Sequence, residues 1–532
     1  MKKLLSIIAP IALLSTLAMG GCAKGLGPAD TDNVDVTVDT RGATISFWTG
    51  FGTSISDKLK EIVADFSAKT GITVEYESKG GYPNLQTAIN LSVTKKEFPN
   101  VAVGYPDHFA GYVNSNIQLR LDGLIKNDEK RKSDKKDENG HDADADGIRL
   151  LDYSNFYKDY TKENESLEFK ADGTGYVLGL PFNKSSEGMA VNKTFFDWFA
   201  TQEAYKDRIF VPTTWGEVKS VGLAVKDFFA TKGVYGHILA SDGNVYDDEA
   251  GIPTGQTKVY DATRVADADA FRLLSYDSTE NLFITLVRQF GGTFTELDPT
   301  RTGKGFAAFN DADKKDKTLA AMDMYKDLAD KKLVGIPATF GESLYCSTPF
   351  CNGQSLLNVG STAGIYNAIP QGNAFKVKAA AIPQNENNPN GAKFVISQGT
   401  NLALFNKGSD KEKVAAWKLM VYLSQQANGR FAAETGYFPT CEDATNSKEY
   451  QDYLESSADA KGMITIECGR INKEVYGNKE DGWVRFVDPA FLGSSAVRQE
   501  CGYIPGYIIS GEVGTNQQIL DAVYKKLPDF TR

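Results

Sequence analysis

Apolar and polar residues alternate from position 43 to 48 of the chain, and the pattern is broken at Gly50-Phe51-Gly52. This period of two predicts a half-buried β-strand that runs into a loop. The period then changes, because the apolar residues from Leu59 to Phe66 fall on one face of a helix. We expect that helix to end at Gly71, since glycine readily adopts the left-handed conformation of a helix cap.

Two more strands and another helix follow in the same rhythm. Residues 72–76 alternate again, residues 85–93 supply a second helical stripe, and residues 101–103 form a short apolar run. A β-α-β-α-β order predicts a parallel sheet covered by helices. Ligands of such sheets bind beyond the carboxyl ends of the strands, so the loops at 48–52 and 104–108 form a candidate site.

Later segments keep the same α/β character. Residues 319–328 form a helical stripe, residues 356–359 predict a strand that turns at 360–364, and residues 409–425 predict a long helix. No short internal repeat is present. The predicted fold class is therefore α/β over most of the chain.

The first residues have the pattern of an export signal. Met1-Lys2-Lys3 precedes an apolar stretch from Leu4 to Met19, which is too short to span a bilayer comfortably, and small residues lead to Cys22. A cysteine at this place resembles the lipidation site of bacterial lipoproteins, although Met19 stands where leucine is commoner. The alternative is ordinary cleavage that leaves Cys22 as an incidental thiol.

This pattern predicts how the first 41 residues are processed and what they do. Residues 1–21 are a signal peptide, Cys22 becomes the acylated first residue, and the Gly- and Asp-rich residues 22–41 form a flexible tether. No second apolar run long enough for a membrane span follows, so the lipid is the only expected attachment to the bacterial cell membrane. The chain is expected to function outside the cytoplasm.

Length and charge exclude several classes of protein. Roughly 490 residues after the tether are too many for one compact core, which indicates two or more lobes. The formal charge of −11 and the lack of a basic stripe argue against nucleic acid or anionic lipid as a partner. The three histidines, His108, His141 and His237, lie in separate neighbourhoods, so a histidine zinc site or a Ser-His-Asp triad is poorly supplied.

Five cysteines follow Cys22, and disulfides are permitted in an exported protein. Cys346 and Cys351 are close enough in sequence to close a small loop. The odd count leaves at least one thiol unpaired, and the connectivity stays open.

Residues 125–168 contain a charged, Gly- and Asp-rich insertion that is a solvated loop by default. Within it Asp142, Asp144 and Asp146 are followed by Gly147, a D-x-D-x-D-G spacing that aims alternate carboxylates at calcium. The glutamate expected at the twelfth position is absent, since Tyr153 stands there with Asp152 before it. A structural calcium site and a plain acidic loop both remain open, and no other cofactor is expected.

Several short motifs in register resemble the family 1 extracellular solute-binding proteins, which include the maltose-binding and glycerol-3-phosphate-binding components of ABC importers. The resemblance covers nearly the whole mature chain. In chain order the motifs are Ile-Ser-Phe-Trp-Thr-Gly-Phe-Gly (45–52), Lys-Thr-Gly-Ile (69–72), Lys-Gly-Gly-Tyr (79–82), Phe-Pro-Asn-Val (98–101), Leu-Pro-Phe-Asn-Lys-Ser-Ser-Glu (180–187), Asn-Lys (192–193), Thr-Trp (214–215), Asn-Gly (352–353), Gly-Ser-Thr-Ala-Gly (360–364), Ala-Ala-Trp (415–417) and Thr-Gly-Tyr-Phe-Pro (435–439).

The resemblance implies a type II periplasmic-binding-protein-like fold, in which two α/β lobes joined by crossing strands close on a ligand. The crossings would fall near 178–183, near 394–404 and after Tyr437. Lobe 1 would then comprise residues 42–180 and 395–440, and lobe 2 residues 181–394 and 441–532.

Carried over residue by residue, the nearest pattern is similar to the glycerol-3-phosphate-binding members. Their ligand contacts fall on Tyr82, Ser185, Gly364 and Tyr437. Their acidic contact has no strict equivalent, because Pro106 occupies that column and Asp107 follows it. Their late arginine is replaced by Ile508 within Gly502-Tyr503-Ile504-Pro505-Gly506-Tyr507-Ile508. Loss of that charge-assisted contact to phosphate favours a neutral saccharide.

The residue types also suit a sugar. Asp107, Ser185 and the backbone N–H groups around Gly364 would bind hydroxyls, while Trp48 and Trp215 would join Tyr82 and Tyr437 as flat surfaces for sugar rings. Each of these aromatic residues could instead belong to a core.

The expected function is therefore capture of a small polar solute, a sugar or oligosaccharide, for delivery to the transmembrane subunits of an ABC permease. A glycerol-3-phosphate or glycerophosphodiester solute is the alternative within the same class. Outside it stand a surface glycosidase, for which no motif marks a carboxylate pair, and an adhesin. We expect no enzymatic activity.

Overall fold

The computed structural model describes residues 29–298, 303–388, 391–456 and 458–532. The strands are β1 (Thr44–Thr49), β2 (Thr73–Ser78), β3 (Val101–Gly104), β4 (Leu180–Ser185), β5 (Glu187–Asn192), β6 (Ile238–Ala240), β7 (Val245–Tyr246), β8 (Lys258–Asp261), β9 (Arg272–Tyr276), β10 (Thr295–Leu297), β11 (Gly305–Ala307), β12 (Val334–Gly335), β13 (Ser355–Ser361), β14 (Val377–Ala380), β15 (Lys393–Ile396), β16 (Gln398–Leu404) and β17 (Trp483–Phe486).

The helices are α1 (Thr53–Thr70), α2 (Tyr82–Ser92), α3 (Pro106–Asn114), α4 (Asp122–Glu129), α5 (Lys158–Thr161), α6 (Lys193–Ala200), α7 (Trp215–Lys232), α8 (Thr279–Gln289), α9 (Lys315–Asp330), α10 (Ser347–Cys351), α11 (Asp410–Val421), α12 (Asn428–Thr435), α13 (Glu442–Asn446), α14 (Lys448–Glu455), α15 (Ala460–Arg470), α16 (Ser494–Cys501), α17 (Ile504–Ser510) and α18 (Asn516–Tyr524).

Lobe 1 is built on a sheet in the order β2-β1-β3-β16-β4. Strand β1 pairs in parallel with β2 and β3, while β16 returns antiparallel between β3 and β4. The predicted alternation at 43–48 corresponds to β1, and α1 ends at Gly71, whose φ of 69° confirms the expected left-handed cap. The predicted β-α-β-α-β start of the chain is thus confirmed.

Lobe 2 is built on a second sheet in the order β12-β9-β13-β5-β14, with a small sheet of β15 and β17 beside it. Each lobe has its own large core, one lined by side chains of β1, α1 and α11 and the other by side chains of α7, α8 and β13. The two-lobed α/β architecture predicted from the sequence is the one observed.

The chain passes between the lobes at positions where a strand of one sheet leads directly into a strand of the other. Strand β4 ends at Ser185 and β5 begins at Glu187, while β15 ends at Ile396 and β16 begins at Gln398. The two crossings are tied together, because the Ser186 hydroxyl donates to the Ile396 carbonyl at 2.8 Å. These segments form the hinge.

The C-terminal part changes lobe later than 440. Helix α14 buries Tyr450 and Leu454 against Ala432 of α12, on lobe 1, whereas α15 buries Ile464 against Ala190 and Ile365 of lobe 2. The division predicted from the sequence had placed this change at 440–441. The difference arises because hydrophobic periodicity shows which face of a helix is buried but not which lobe it packs against.

Residues 29–41, the described part of the expected tether, are packed on lobe 1. Val34 and Val36 are buried in its core, and the Thr31 hydroxyl donates to the Arg120 carbonyl at 2.7 Å. Gly123 allows this close approach, since a Cβ there would lie 2.3 Å from the backbone of Asp32. For these residues the structure departs from the flexible segment expected from their Gly, Asp and Thr content.

Candidate functional site

The cleft between the lobes lies where the sequence placed the first candidate loops, at the carboxyl ends of β1 and β3. A double glycine sets the start of α2 there, with φ values of 70° at Gly80 and 139° at Gly81. The loop after β1 packs closely on this turn, because a Cβ on Gly50 would lie 2.8 Å from the carbonyl carbon of Gly81. Tyr82 is thereby fixed at the N-terminus of α2, facing the hinge.

Tyrosine side chains form the lobe 1 wall of the cleft. The Asn183 amide donates to the Tyr82 hydroxyl at 3.2 Å, and the Tyr82 ring contacts the Tyr105 ring edge to face at 5.0 Å. Tyr437 follows the left-handed cap Gly436 and stacks on Phe431 at 5.8 Å. Burial raises the pKa of both Tyr82 and Tyr437, so these hydroxyls stay neutral hydrogen-bonding groups.

Two predicted contacts sit at the edge of this wall. Asp107 lies in the first turn of α3, half-buried, and accepts from the His108 backbone N–H at 3.0 Å. Ser185, buried at the end of β4, lies at the hinge. Both lie close to the tyrosine wall, Asp107 near Tyr105 and Ser185 two residues after Asn183.

Trp48 and Trp215, the two tryptophans predicted as ligand contacts, lie in different surroundings. Trp48 is half-buried, and the Lys79 ammonium lies over its ring at 3.8 Å from the centroid. Trp215 is only 2 % exposed in the core of lobe 2, where its indole N–H donates to the Gln289 side chain at 2.7 Å. The structure therefore does not bring Trp215 together with the tyrosine wall.

Gly364 lies on the lobe 2 side, before a short 3-10 helix of residues Ile365–Ala368. Its carbonyl accepts from the Asn367 side chain at 3.0 Å. The expected helix N-terminus is thus only one turn long. Tyr366 of this turn lies near the Tyr437 hydroxyl across the cleft. Burial is the largest cause of the raised pKa of Tyr437, and Tyr366 and Tyr345 add to it.

Charged and polar side chains form the lobe 2 wall, which the sequence did not reveal. Glu187, 1 % exposed at the start of β5, accepts a hydrogen bond from the Tyr276 hydroxyl. Arg498 of α16 donates to the Asn281 side chain in the first turn of α8. Burial raises the pKa of Glu187 to about 7, while Tyr276, Asn281 and Arg498 oppose the rise.

Two further carboxylates belong to this wall. The Asp277 side chain accepts from the Cys346 backbone N–H at 2.8 Å. The Asp488 side chain is 7 % exposed and lies 3.4 Å from the Arg288 guanidinium. Burial raises the pKa of each of these aspartates to about 6.

The two walls face each other directly. The Arg498 guanidinium of lobe 2 lies near enough to Tyr105 of lobe 1 to offset part of the rise in the Tyr105 pKa that burial causes. Ala490, carried by lobe 2, is buried among lobe 1 side chains. An aromatic wall and a polar wall therefore enclose one cleft, which suits a solute with apolar faces and a hydroxylated edge.

Some of the cleft residues that were not predicted lie within segments that the sequence analysis had singled out. Glu187 is the last residue of the motif at 180–187, and Tyr105 lies within the predicted loop at 104–108. No sequence motif identifies Arg498 and Asn281, because they are 217 positions apart and meet only in the folded lobe.

The acidic insertion forms hydrogen-bonded turns against lobe 1. Asp144 pairs with Arg131 and Lys418, Asp146 pairs with Lys418, and Asp142 pairs with Lys136. Asp152 instead accepts a hydrogen bond from the Ser154 hydroxyl. The described part of the chain contains no group of three or more His, Cys, Asp or Glu placed to hold a metal, and the calcium site stays a prediction.

Other predictions concern the thiols and the N-terminus. Cys346, Cys351, Cys441, Cys468 and Cys501 are all free thiols in the structure. Cys22 and the signal peptide lie outside the described residues. Within the ranges given above, no helix combines the length and the apolar character that a bilayer span requires.

Solved structures with similar folds cover nearly the whole chain. UgpB from Mycobacterium tuberculosis, in complex with glycerophosphocholine, is 15 % identical with a TM-score of 0.61, covering 91 % of this chain and 97 % of its own. The sugar-binding protein MalE from Xanthomonas citri is 16 % identical with a TM-score of 0.60, covering 92 % and 97 %. The GacH receptor of Streptomyces glaucescens is 14 % identical with a TM-score of 0.58, covering 91 % and 99 %. At these identities the likeness concerns the fold alone.

No curated protein matches the chain in a sequence search. The family model described as bacterial extracellular solute-binding protein matches residues 61–457. That range includes both strand crossings, the tyrosine wall and Glu187. With this match and the two-lobed maltose-binding-protein-like fold, the chain belongs to the bacterial extracellular solute-binding proteins of ABC transporters.

Proposed function

We propose that this protein captures a neutral sugar or oligosaccharide in the cleft and delivers it to the transmembrane subunits of an ABC permease. The observation that carries the proposal is the pairing of the tyrosine wall with the buried polar wall. Tyr82 and Tyr437 offer ring surface with hydroxyl tips, and Glu187 and Asn281 offer acceptors and donors for sugar hydroxyls.

The charges of the polar wall support a neutral solute. Arg498 is already engaged by Asn281 and lies near Glu187 and Asp488, and Arg288 lies beside Asp488. Both guanidinium groups of this wall therefore already face a carboxyl group, so an entering phosphate would meet no free cation.

A glycerophosphodiester remains the second candidate, because one observation favours it. Arg498 places a guanidinium at the cleft, although it is carried by α16 and not by the late Gly-x-x-Pro segment, where Ile508 is 4 % exposed in the lobe 2 core. A phosphate could use that guanidinium if Asn281 released it.

Capture would proceed by closure about the hinge at Ser186 and Ser397. A solute that contacts both walls binds the closed form better than the open one, so it shifts the population towards closure. The permease would then recognise the two lobe surfaces in their closed arrangement. Capture with micromolar affinity requires about 8 kcal/mol, which a few buried hydrogen bonds and stacked rings can supply.

A ligand screen tests the solute class. The mature protein is titrated with mono- and oligosaccharides, glycerol-3-phosphate and glycerophosphocholine, and tryptophan fluorescence and solution scattering are followed. Saturable binding of a saccharide with a more compact scattering profile is expected. Binding of phosphates alone would establish the second candidate, and release of cleaved sugar would establish a glycosidase.

We also propose that Cys22 carries the lipid anchor and holds the protein at the outer face of the cell membrane. The wild-type chain is expected to incorporate labelled fatty acid and to sediment with membranes, whereas Cys22→Ser does neither. Equal membrane association of both proteins would contradict the anchor.

A further inference from the structure

A side pocket of about 240 Å³ opens on the seam between the lobes. Ser54 and Ile55 of α1 and the end of α12 line it from lobe 1. Tyr366 and the first turns of α15 line it from lobe 2. At roughly 30 Å³ for each water molecule, the pocket holds the volume of about eight waters, which is room for one sugar ring but not for a chain of them.

The side pocket lies beside the tyrosine wall of the cleft. Gly436, which lines it, directly precedes Tyr437 of the tyrosine wall. Tyr366, which also lines it, lies close enough to the Tyr437 hydroxyl to raise its pKa, after the larger effect of burial. Two lining residues, Gly436 and Tyr366, therefore place the pocket beside Tyr437.

The lining has the chemistry of a second ring site. Tyr366 and Tyr453 provide aromatic surface, and Ser54 and Lys461 place a hydroxyl and an ammonium group at its rim. Both rim side chains are exposed. Sugar rings combine flat C–H faces with hydroxyl edges, so they match aromatic surface with donors and acceptors beside it.

We propose that this side pocket is a second sugar subsite and that the solute therefore contains at least two linked sugar residues. The inference rests on the proposed function and assigns its substrate class. Because each lobe supplies part of the lining, the subsite is complete only when the lobes are closed. A longer sugar consequently favours the closed form more strongly than a single ring does.

A larger cavity of about 420 Å³ provides a matched comparison. It is lined by lobe 2 residues, among them Phe290, Lys317 and Met324, and it has no lobe 1 residue in its lining. It therefore cannot extend the cleft. Lys317 is exposed on its rim, as Ser54 and Lys461 are on the rim of the side pocket.

The test measures affinity as a function of sugar length. Mono-, di- and trisaccharides of glucose, galactose, mannose and xylose are titrated by calorimetry into the full mature protein. The series that binds is then repeated with Ser54→Trp and Lys461→Trp, which fill the side pocket from opposite lobes, and with the control Lys317→Trp. All three side chains are exposed, so equal melting temperatures are expected and are measured.

In the wild type, affinity should rise at least about tenfold from monosaccharide to disaccharide. The rise should disappear in Ser54→Trp and Lys461→Trp and persist in Lys317→Trp. Equal affinity for one and two rings, or a rise that survives both filling variants, would overturn the subsite while the proposed function stands. Failure of every saccharide to bind would overturn the proposed function and the subsite with it.

Discussion

The two walls of the cleft differ in how their side chains are fixed. The lobe 1 wall consists of tyrosines held by ring packing, with Tyr437 stacked on Phe431 and Tyr82 against Tyr105. The lobe 2 wall consists of buried charges held by hydrogen bonds, with Glu187 on Tyr276 and Asn281 on Arg498. A surface of packed rings can contact solutes of many kinds. A buried polar network binds only solutes whose groups complete its hydrogen bonds, because an unsatisfied buried polar group costs free energy. On the proposed function, lobe 1 would therefore supply affinity and lobe 2 would select the solute.

The largest expected effect is on stability, at a buried ion pair behind the lobe 1 wall. Lys184 lies in β4 with its side chain wholly buried, paired with Glu163, whose side chain is 4 % exposed. Lys184→Met leaves that carboxylate buried without its cation and should lower the free energy of unfolding by about 3–5 kcal/mol. Urea denaturation measures the loss.

The matched control is Lys193→Met, which removes an exposed pair with Asp197 whose side chains are 41 % and 52 % exposed. Its effect should be below about 0.5 kcal/mol. Equal losses in the two variants would show that burial does not make the Lys184–Glu163 pair more costly to break than an exposed pair.

A pH series isolates the lobe 2 wall. The Glu187 pKa rises from 4.5 to about 7 on folding, so between these values the folded protein binds more protons than the unfolded chain. Its free energy of unfolding therefore falls as the pH rises, by roughly 3 kcal/mol from this group. Asp277 and Asp488, with pKa raised to about 6, act in the same direction.

Glu187→Gln should flatten that decline in thermal melts between pH 5 and pH 8. Glu203→Gln, at a side chain 86 % exposed, should leave the wild-type slope unchanged. A steeper decline in Glu187→Gln than in wild type would mean that the carboxylate is not destabilised by its surroundings.

Hydroxyl removal tests the lobe 1 wall. An alanine at Tyr437 would open a cavity beside Phe431, because this ring is only 9 % exposed, so phenylalanine is the informative change. Tyr437→Phe and Tyr82→Phe should each weaken solute binding about tenfold by calorimetry, since each removes one hydrogen-bonding hydroxyl at the cleft.

Trp215→Phe serves as the control, because Trp215 lies in the lobe 2 core and not at the cleft. It should lower stability by about 1–2 kcal/mol through loss of its bond to Gln289, with affinity unchanged. A loss of affinity at Trp215 without loss at either tyrosine would reverse the assignment of the wall.

The smallest effect is expected outside the cleft. Asp144 and Asp146 are neutralised by Arg131 and Lys418, so added calcium should leave the melting temperature of the protein unchanged. A rise with calcium that disappears in Asp144→Asn would restore the metal site.

Short sequence motifs identify features that depend on residues close together in the chain. Thr214-Trp215 is one such motif, but its cause is structural: Thr214 caps α7 and forms a capping box with Glu217, while Trp215 turns into the core. A capping motif and a binding motif look alike in a single sequence, since both are short and contain hydrogen-bonding residues beside an aromatic residue.

The D-x-D-x-D-G spacing likewise carries only local information. It sets where carboxylates point within one turn, but their partners come from elsewhere, since Lys418 is 272 positions from Asp146. The same holds for residues 29–41, whose polar composition conceals two valines that pack on lobe 1.

By itself the sequence determined the α/β class and the two-lobed fold, and it predicted cleft tyrosines on lobe 1, because periodicity, glycine turns and contiguous motifs act over a few residues. Only the tertiary structure decided which lobe each C-terminal helix covers and that Arg498, Asn281 and Glu187 form one wall. Those arrangements depend on burial and on pairing between residues far apart in the chain, and hydrophobic periodicity carries no information about the partner that a buried charge will find.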